Sequence, residues 1–156
     1  MQYCYFNSPI GRILLGAHDQ VLSLLGFPQG KSSYTPDKTW QLNEKPFKAA
    51  LKQLDEYFAQ KRKVFDLAYE LHVSEFQQHV LSKVAKVPYG MTCSYGEIAQ
   101  KIQQPTASRA VGMANARNPL PIIIPCHRII GKDGSLTGFG GGIFAKEFLL
   151  RLEGVL

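Results

Sequence analysis

Between Asn118 and Cys126 the chain places three prolines, Pro119, Pro121 and Pro125, around Leu120 and the apolar run Ile122-Ile123-Ile124. Proline fixes its own backbone dihedral and restricts the residue before it, so this buried apolar segment is held rigidly on both sides. Cys126 therefore sits at a fixed position and not on a mobile loop, which suits a catalytic group. His127 follows it directly. A free thiol, with a pKa of about 8.5, is mostly protonated at neutral pH, so a nucleophilic cysteine needs a base or a positive field beside it. Adjacent side chains on an extended segment point opposite ways, which makes a bridging water the route from Cys126 to His127. Taken alone, the pair reads more readily as an inert core thiol beside a satisfied imidazole, the usual fate of buried cysteines.

The rest of the chain divides on either side of residues 70–74. The first third holds three strand-like runs, MQYCYFN, RILLGAH and VLSLLGF, parted by the turn signals Ser8-Pro9-Ile10-Gly11 and His18-Asp19-Gln20. That pattern predicts an antiparallel meander. A polar connection covers residues 28–46. Pro46 then suits a first helical turn, and Phe47, Ala50, Leu51, Leu54, Tyr57 and Phe58 recur at helical spacing to about Lys61, with Lys48, Lys52 and Glu56 turned outward. Val64-Phe65-Asp66-Leu67 reads as a short strand. Beyond it the pattern changes to short helices: one capped by Ser74 with Phe76, Val80, Leu81 and Val84 on a face, and one capped by Ser94 with Glu97 completing a capping box. A third starts near Thr106 and carries Ala107, Ala110, Val111 and Ala114. Two short helices across a tight turn predict a helix-turn-helix. The fold class is α+β, with a scaffold domain at 1–73 and a functional helical domain at 74–156.

A chain of 156 residues can bury a core without disulfides. Its three cysteines, Cys4, Cys93 and Cys126, are an odd number without framework spacing, which points to free thiols in a reducing, cytoplasmic compartment. The amino terminus has no signal-peptide pattern, and no apolar run approaches membrane-spanning length. The formal charge of +6 suits an anionic partner such as DNA.

Several stretches together carry a resemblance. Pro125-Cys126-His127-Arg128-Ile129, preceded by Ser108-Arg109-Ala110-Val111-Gly112 and Asn118-Pro119, resembles the signature of the O6-alkylguanine-DNA alkyltransferases, or methylated-DNA-protein-cysteine methyltransferases. Ser94-Tyr95-Gly96-Glu97-Ile98-Ala99, the Gly-rich Gly138-Phe139-Gly140-Gly141-Gly142 and Lys146-Glu147-Phe148-Leu149-Leu150-Arg151-Leu152-Glu153 follow the family's order and spacing. The resemblance spans residues 74–153 and is loose before that, where it implies a ribonuclease-H-like topology. After it, a winged helix-turn-helix-like domain carries the active site.

The resemblance implies a direct-reversal DNA-repair protein that flips an alkylated guanine, and by extension an alkylated thymine at O4, out of double-stranded DNA. It takes the alkyl group irreversibly and once. Cys126 is then the acceptor, His127 the base acting through water, and Glu153 the carboxylate that orients the imidazole, so that a thiolate-imidazolium pair forms. Tyr95 donates a proton to guanine N3 and Asn118 holds the active-site turn. Arg109 fills the gap left by the flipped base while the second helix lies in the minor groove, with Ser108 beside it and small Ala110 and Gly112 permitting close approach. Lys132 and the N-termini of the short helices contact phosphates. Phe139-Gly140 stands where some relatives have a Tyr-Ser pair, so backbone N-H groups must serve O6, and the glycine-lined pocket is expected to admit alkyl groups larger than methyl. No cofactor is implied. Some relatives hold a structural zinc, but Cys4, His18, His72 and His79 have no such spacing, so no metal is expected. The sequence gives no sign of an oligomer, so a monomer is expected. A DNA-binding sensor of alkylated bases and a cysteine hydrolase with a Cys-His-Glu triad are the competing readings. The first is disfavoured by the presence of Cys126, the second by the helix-turn-helix and Arg109.

Overall fold

The computed structural model describes residues 1–136 and 139–156. Three strands form the expected meander: β1 (Gln2–Ser8), β2 (Gly11–His18) and β3 (Val21–Gly26). Each turn has a local cause. At the first, the Ser8 hydroxyl donates to Gly11 O at 2.6 Å and accepts from Ile10 N at 3.2 Å, while Gly11 adopts φ +110°. At the second, Asp19 and Gln20 both take positive φ, as a two-residue hairpin turn matched to the strand twist requires. Register is fixed by burial, since a one-residue slip would exchange the faces of a strand whose Ile13, Leu15 and Ala17 lie in the core.

The polar connection holds a strand the sequence pattern did not indicate. β4 (Gln41–Leu42) pairs parallel to β1, giving the order β3-β2-β1-β4. It is two exposed residues long, too short for any periodicity to appear. A 3-10 turn at Lys45–Phe47, with Pro46 inside it and Phe47 buried, leads into α1 (Lys48–Phe58), which buries Ala50, Leu54 and Tyr57. Burying each such large side chain contributes about 1.5–3 kcal/mol. Lys48 and Lys52 are exposed as expected, and Glu56 pairs with Arg62 at 3.3 Å.

The strand expected at Val64–Leu67 does not form. Gln53 of α1 occupies the backbone there instead: its Nε2 donates to Asp66 O at 2.9 Å and its Oε1 accepts from Asp66 N at 2.8 Å. A side chain thus satisfies the groups a ladder would have used.

α2 (Glu75–Val84) begins at Ser74, whose hydroxyl accepts from Gln77 N at 3.2 Å. β5 (Cys93–Ser94) precedes α3 (Tyr95–Lys101), and Ser94 accepts from Glu97 N at 3.1 Å. The Glu97 carboxylate takes the Cys93 thiol at 3.4 Å. α4 (Ser108–Ala116) completes the helix-turn-helix across Gln103, which adopts φ +62°. β6 (Ile129–Ile130) pairs parallel with β5, and α5 (Ile143–Leu152) closes the chain. Apolar packing is continuous between the halves, and Leu25 N donates to Pro119 O at 2.8 Å across them. Among the described residues no helix is long and apolar enough to cross a membrane.

Candidate active site

The proline-rich segment is a chain of tight turns. Asn118 fastens it: its Oδ1 accepts from Leu120 N at 2.9 Å and its Nδ2 donates to Ile124 O at 2.8 Å. Ile122 adopts φ +74°, a conformation that costs a β-branched residue about 1–3 kcal/mol and that persists because its surroundings enforce it. Pro125, at φ −78° and ψ 65°, centres an inverse γ-turn closed by Cys126 N donating to Ile124 O at 2.7 Å. Cys126 then opens a 3-10 turn, Cys126–Arg128, where the sequence suggested extended chain. The proline geometry produces this difference, because the γ-turn reverses the chain just before the thiol. Asn115, fully buried on α4, donates to Cys126 O at 3.1 Å. Helix α4 therefore holds the cysteine backbone as well.

Cys126 is 3% exposed, and burial pushes its thiol up to about 11, against the pull of the Asn118 side chain and the Lys146 ammonium. Cys4 and Cys93 are also raised, Cys4 to about 12, both chiefly by burial. What distinguishes Cys126 is its company. His127 is wholly buried, with Nε2 2.7 Å from Glu153 Oε2. Burial holds this imidazole below its ordinary pKa although Glu153 pulls the other way. With Nε2 protonated toward the carboxylate, Nδ1 is an acceptor, and it has no hydrogen-bond partner among the described residues.

Glu153, just beyond α5, is the hub. Burial would raise its carboxyl, but hydrogen bonds from His127, Arg128 and Tyr57 override it and hold the group well below the usual carboxylate range. Arg128 donates Nε to Oε1 at 2.8 Å and Nη2 to Oε2 at 3.0 Å, and its Nη1 donates to Val87 O at 2.7 Å. The Tyr57 hydroxyl donates to Oε2 at 2.6 Å.

Lys146 is a second cation within the core, beside Arg128. Its Nζ donates to Ile129 O at 2.6 Å and to Tyr95 Oη at 3.5 Å, and lies 5.8 Å from the Tyr95 ring centre. Burial lowers its pKa to about 8, and the attraction of Cys126 opposes the shift. Tyr95, half-buried at the start of α3, packs toward Gly112 of α4, where an added Cβ would come within 3.6 Å of its ring.

Arg109 and Ala110 are exposed on α4, opposite the face that buries Val111, Ala114 and Asn115, and Ser108 is half-buried at the helix start. Lys132 is exposed in the turn after β6. Phe139 is buried, its ring centre 5.3 Å from that of Phe27, and Gly140 O accepts from Ser32 N at 2.9 Å, so the first half holds this loop. Gly138, first residue of the Gly-rich run, and Thr137 lie outside the described residues. Among those described, no group of three or more His, Cys, Asp or Glu side chains is placed to hold a metal ion.

Sequence reasoning did not single out Tyr57, Arg128, Asn115 or Lys146. Arg128 and Lys146 lie inside the stretches that carry the family resemblance, which by themselves assign them no role. Tyr57 matched the helical apolar stripe and read as core. The polar Asn115 interrupting the small-residue face of α4 was the signal that was available.

Comparison with known proteins follows the same lines. A family model described as the 6-O-methylguanine DNA methyltransferase, DNA binding domain, matches residues 75–155, and one described as the ribonuclease-like domain of the same methyltransferase matches residues 1–71. The chain is 48% identical over 154 residues to a methylated-DNA--protein-cysteine methyltransferase of Methanosarcina acetivorans, covering 99% of each chain. It is 46% identical to one from Mycolicibacterium paratuberculosis, covering 98% of this chain and 92% of the other. The crystal structure of Mycobacterium tuberculosis OGT in complex with DNA superposes with a TM-score of 0.91 at 44% identity, covering 98% of this chain and 92% of that one. An O6-methylguanine DNA methyltransferase from Methanococcus jannaschii gives 0.68 at 31% identity over 96% and 92%.

Proposed function

The chain belongs to the 6-O-methylguanine DNA methyltransferase family, and from that premise we propose how its own side chains perform the transfer. It is a methylated-DNA-protein-cysteine methyltransferase, repairing DNA by direct reversal, with the alkyl group passing from O6 of guanine to a cysteine of the protein.

Cys126 is the acceptor. At rest the thiol is protonated and the imidazole neutral, since burial raises the first and lowers the second. As sulfur attacks the alkyl carbon, its proton passes through a water to His127 Nδ1, and Glu153 stabilises the imidazolium that results. The new S–C bond forms as the C–O6 bond breaks, and the electron pair moves into the purine. Tyr95 donates its phenolic proton to N3, so guanine departs neutral. The charge left on the phenol faces the Lys146 ammonium 3.5 Å away. A thioether has no hydrolytic exit, which makes each molecule react once.

The observation that carries this reading is the His127–Glu153 contact of 2.7 Å directly beside Cys126, with Nδ1 left as an acceptor. Asn118 holds the turn that presents the thiol. Residues 74–156 form the reacting and DNA-binding domain and residues 1–73 its support. The partner is double-stranded DNA, entered from the minor groove by α4, with Arg109 filling the space of the flipped base and Ser108, Ala110 and Gly112 lying close to the backbone. Lys132 contacts phosphate. Phe139 and Gly140 wall the alkyl pocket, which extends the substrates to groups larger than methyl; O4-alkylthymine is a second substrate base. The protein works as a monomer in the cytoplasm.

Mass spectrometry tests the assignment. After incubation with a duplex containing O6-methylguanine, one methyl group should appear on the peptide carrying Cys126, at one equivalent and no more. Cys126→Ser should bind the duplex and gain nothing. Label on the Cys126→Ser protein would overturn the acceptor.

A further inference from the structure

The first half of the chain reaches the Glu153 carboxylate through a single side chain of α1. Tyr57 stands on the last turn of α1, and its hydroxyl is 2.6 Å from Glu153 Oε2, the same oxygen that accepts from His127 Nε2 at 2.7 Å and from Arg128 Nη2 at 3.0 Å. Oxygen Oε1 is occupied by Arg128 Nε at 2.8 Å and approached by Gly90 N at 3.4 Å. Tyr57 is wholly buried, between Phe58 and Phe65 at ring distances of 5.3 Å and near Tyr89 at 6.2 Å. A phenol enclosed this way beside a carboxylate is a donor only. Burial and the Glu153 charge drive its own ionisation far above the ordinary range.

We propose that Tyr57 is a positioning residue for the transfer, capping the Glu153 carboxylate so that His127 stays a neutral base until substrate arrives. The inference rests on the reading of His127 as the base and deepens it. A carboxylate with only the imidazole to bind would draw the His127 proton balance strongly toward imidazolium, because an unshared negative charge in a buried site favours the cation beside it. Charge shared among three donors exerts a weaker pull. Of the other groups around the pair, Arg128 and Lys146 act in the same direction, disfavouring the imidazolium by their own charge, while the Cys126 thiol and the Tyr89 phenol, turned toward Leu152 O at 3.4 Å, carry no charge. Tyr57 is the one member of the set that comes from the amino-terminal half, which makes that half part of the proton chemistry and not only its support.

The test is the pH dependence of Cys126 alkylation by free O6-benzylguanine, a probe that needs no DNA contact. Tyr57→Phe keeps the ring packing and removes the donor, so the carboxylate becomes more basic and the imidazolium more stable. The acid limb of the rate profile should then move up by about half to one pH unit. A fluorinated tyrosine placed at position 57 is a stronger donor and should move the limb down, and it serves where the phenylalanine variant folds poorly. Opposite shifts from two replacements of similar shape are outside the reach of a purely structural role. Profiles that keep the wild-type midpoint, whatever their plateau, overturn the inference. His127→Phe in the same assay must abolish the limb; a wild-type limb that survives that change removes the base reading and this inference with it.

Discussion

Replacing Arg128 by methionine removes one partner from the buried charge cluster around Glu153 while keeping most of the stem's volume. The guanidinium makes three bonds in a buried site: two to Glu153, at 2.8 and 3.0 Å, and one to Val87 O at 2.7 Å. Breaking a buried pair by deleting one member costs about 3–5 kcal/mol, because the remaining charge is left short of partners. Here Tyr57 and His127 still serve the carboxylate, so the lower end of that range, about 3 kcal/mol at pH 7, is the expected loss. Urea denaturation measures it. The pH dependence gives a second reading. Glu153 titrates lower in the folded chain than in the unfolded one, so the stability it contributes is complete above its unfolded pKa and is lost as pH falls toward the folded value. Arg128→Met raises that folded value, and acid unfolding of the variant should begin at a higher pH. Adding Glu153→Gln to Arg128→Met should recover part of the loss, since no unpaired charge remains. A single variant within about 1 kcal/mol of wild type at pH 7 would refute the view that this pairing carries the site.

Three further outcomes follow from the geometry. Asn118→Ala takes the side-chain acceptor from Leu120 N and one of two donors from Ile124 O, which keeps the Cys126 N–H, and should cost about 2 kcal/mol in urea denaturation and slow alkylation of Cys126 by misplacing the turn. Lys146→Met should lower the transfer rate about tenfold or more by removing the charge beside Tyr95 and Cys126, as single-turnover rates would show. The folded Lys146 value of about 8 lies below the ordinary 10.5, so the unfolded chain holds more protons and stability rises with pH from about 8 upward. The methionine variant should lose that rise, read between pH 8 and 9, before the raised Cys126 thiol acts in the opposite sense. Gly140→Ala would drive a Cβ into the Ser32 hydroxyl and to 2.9 Å from Ala116 O, displacing the loop. Its transfer rate with O6-benzylguanine should fall more than with O6-methylguanine, and equal losses would separate the loop from the alkyl pocket.

The amino-acid sequence by itself determined the elements whose cause is local. Three strands with Gly11 and the Asp19-Gln20 turn, helices capped by Ser74 and Ser94, and the rigid approach to Cys126 all follow from dihedral preferences and short-range hydrogen bonds. The pairing of Cys126, His127 and Glu153 came from motif resemblance, since nothing in spacing alone says that a residue 26 positions on will stand 2.7 Å from an imidazole. Tertiary structure decided the rest. Val64–Leu67 lost its strand to the side chain of Gln53, a competitor from another element. Tyr57, 96 residues from Glu153, looked like core because a periodic stripe records which face is buried and not where a hydroxyl ends. Arg128 and Lys146 carry charges into the interior, which hydropathy reads as surface, and only the assembled fold supplies the carboxylate and carbonyls that make their burial tolerable.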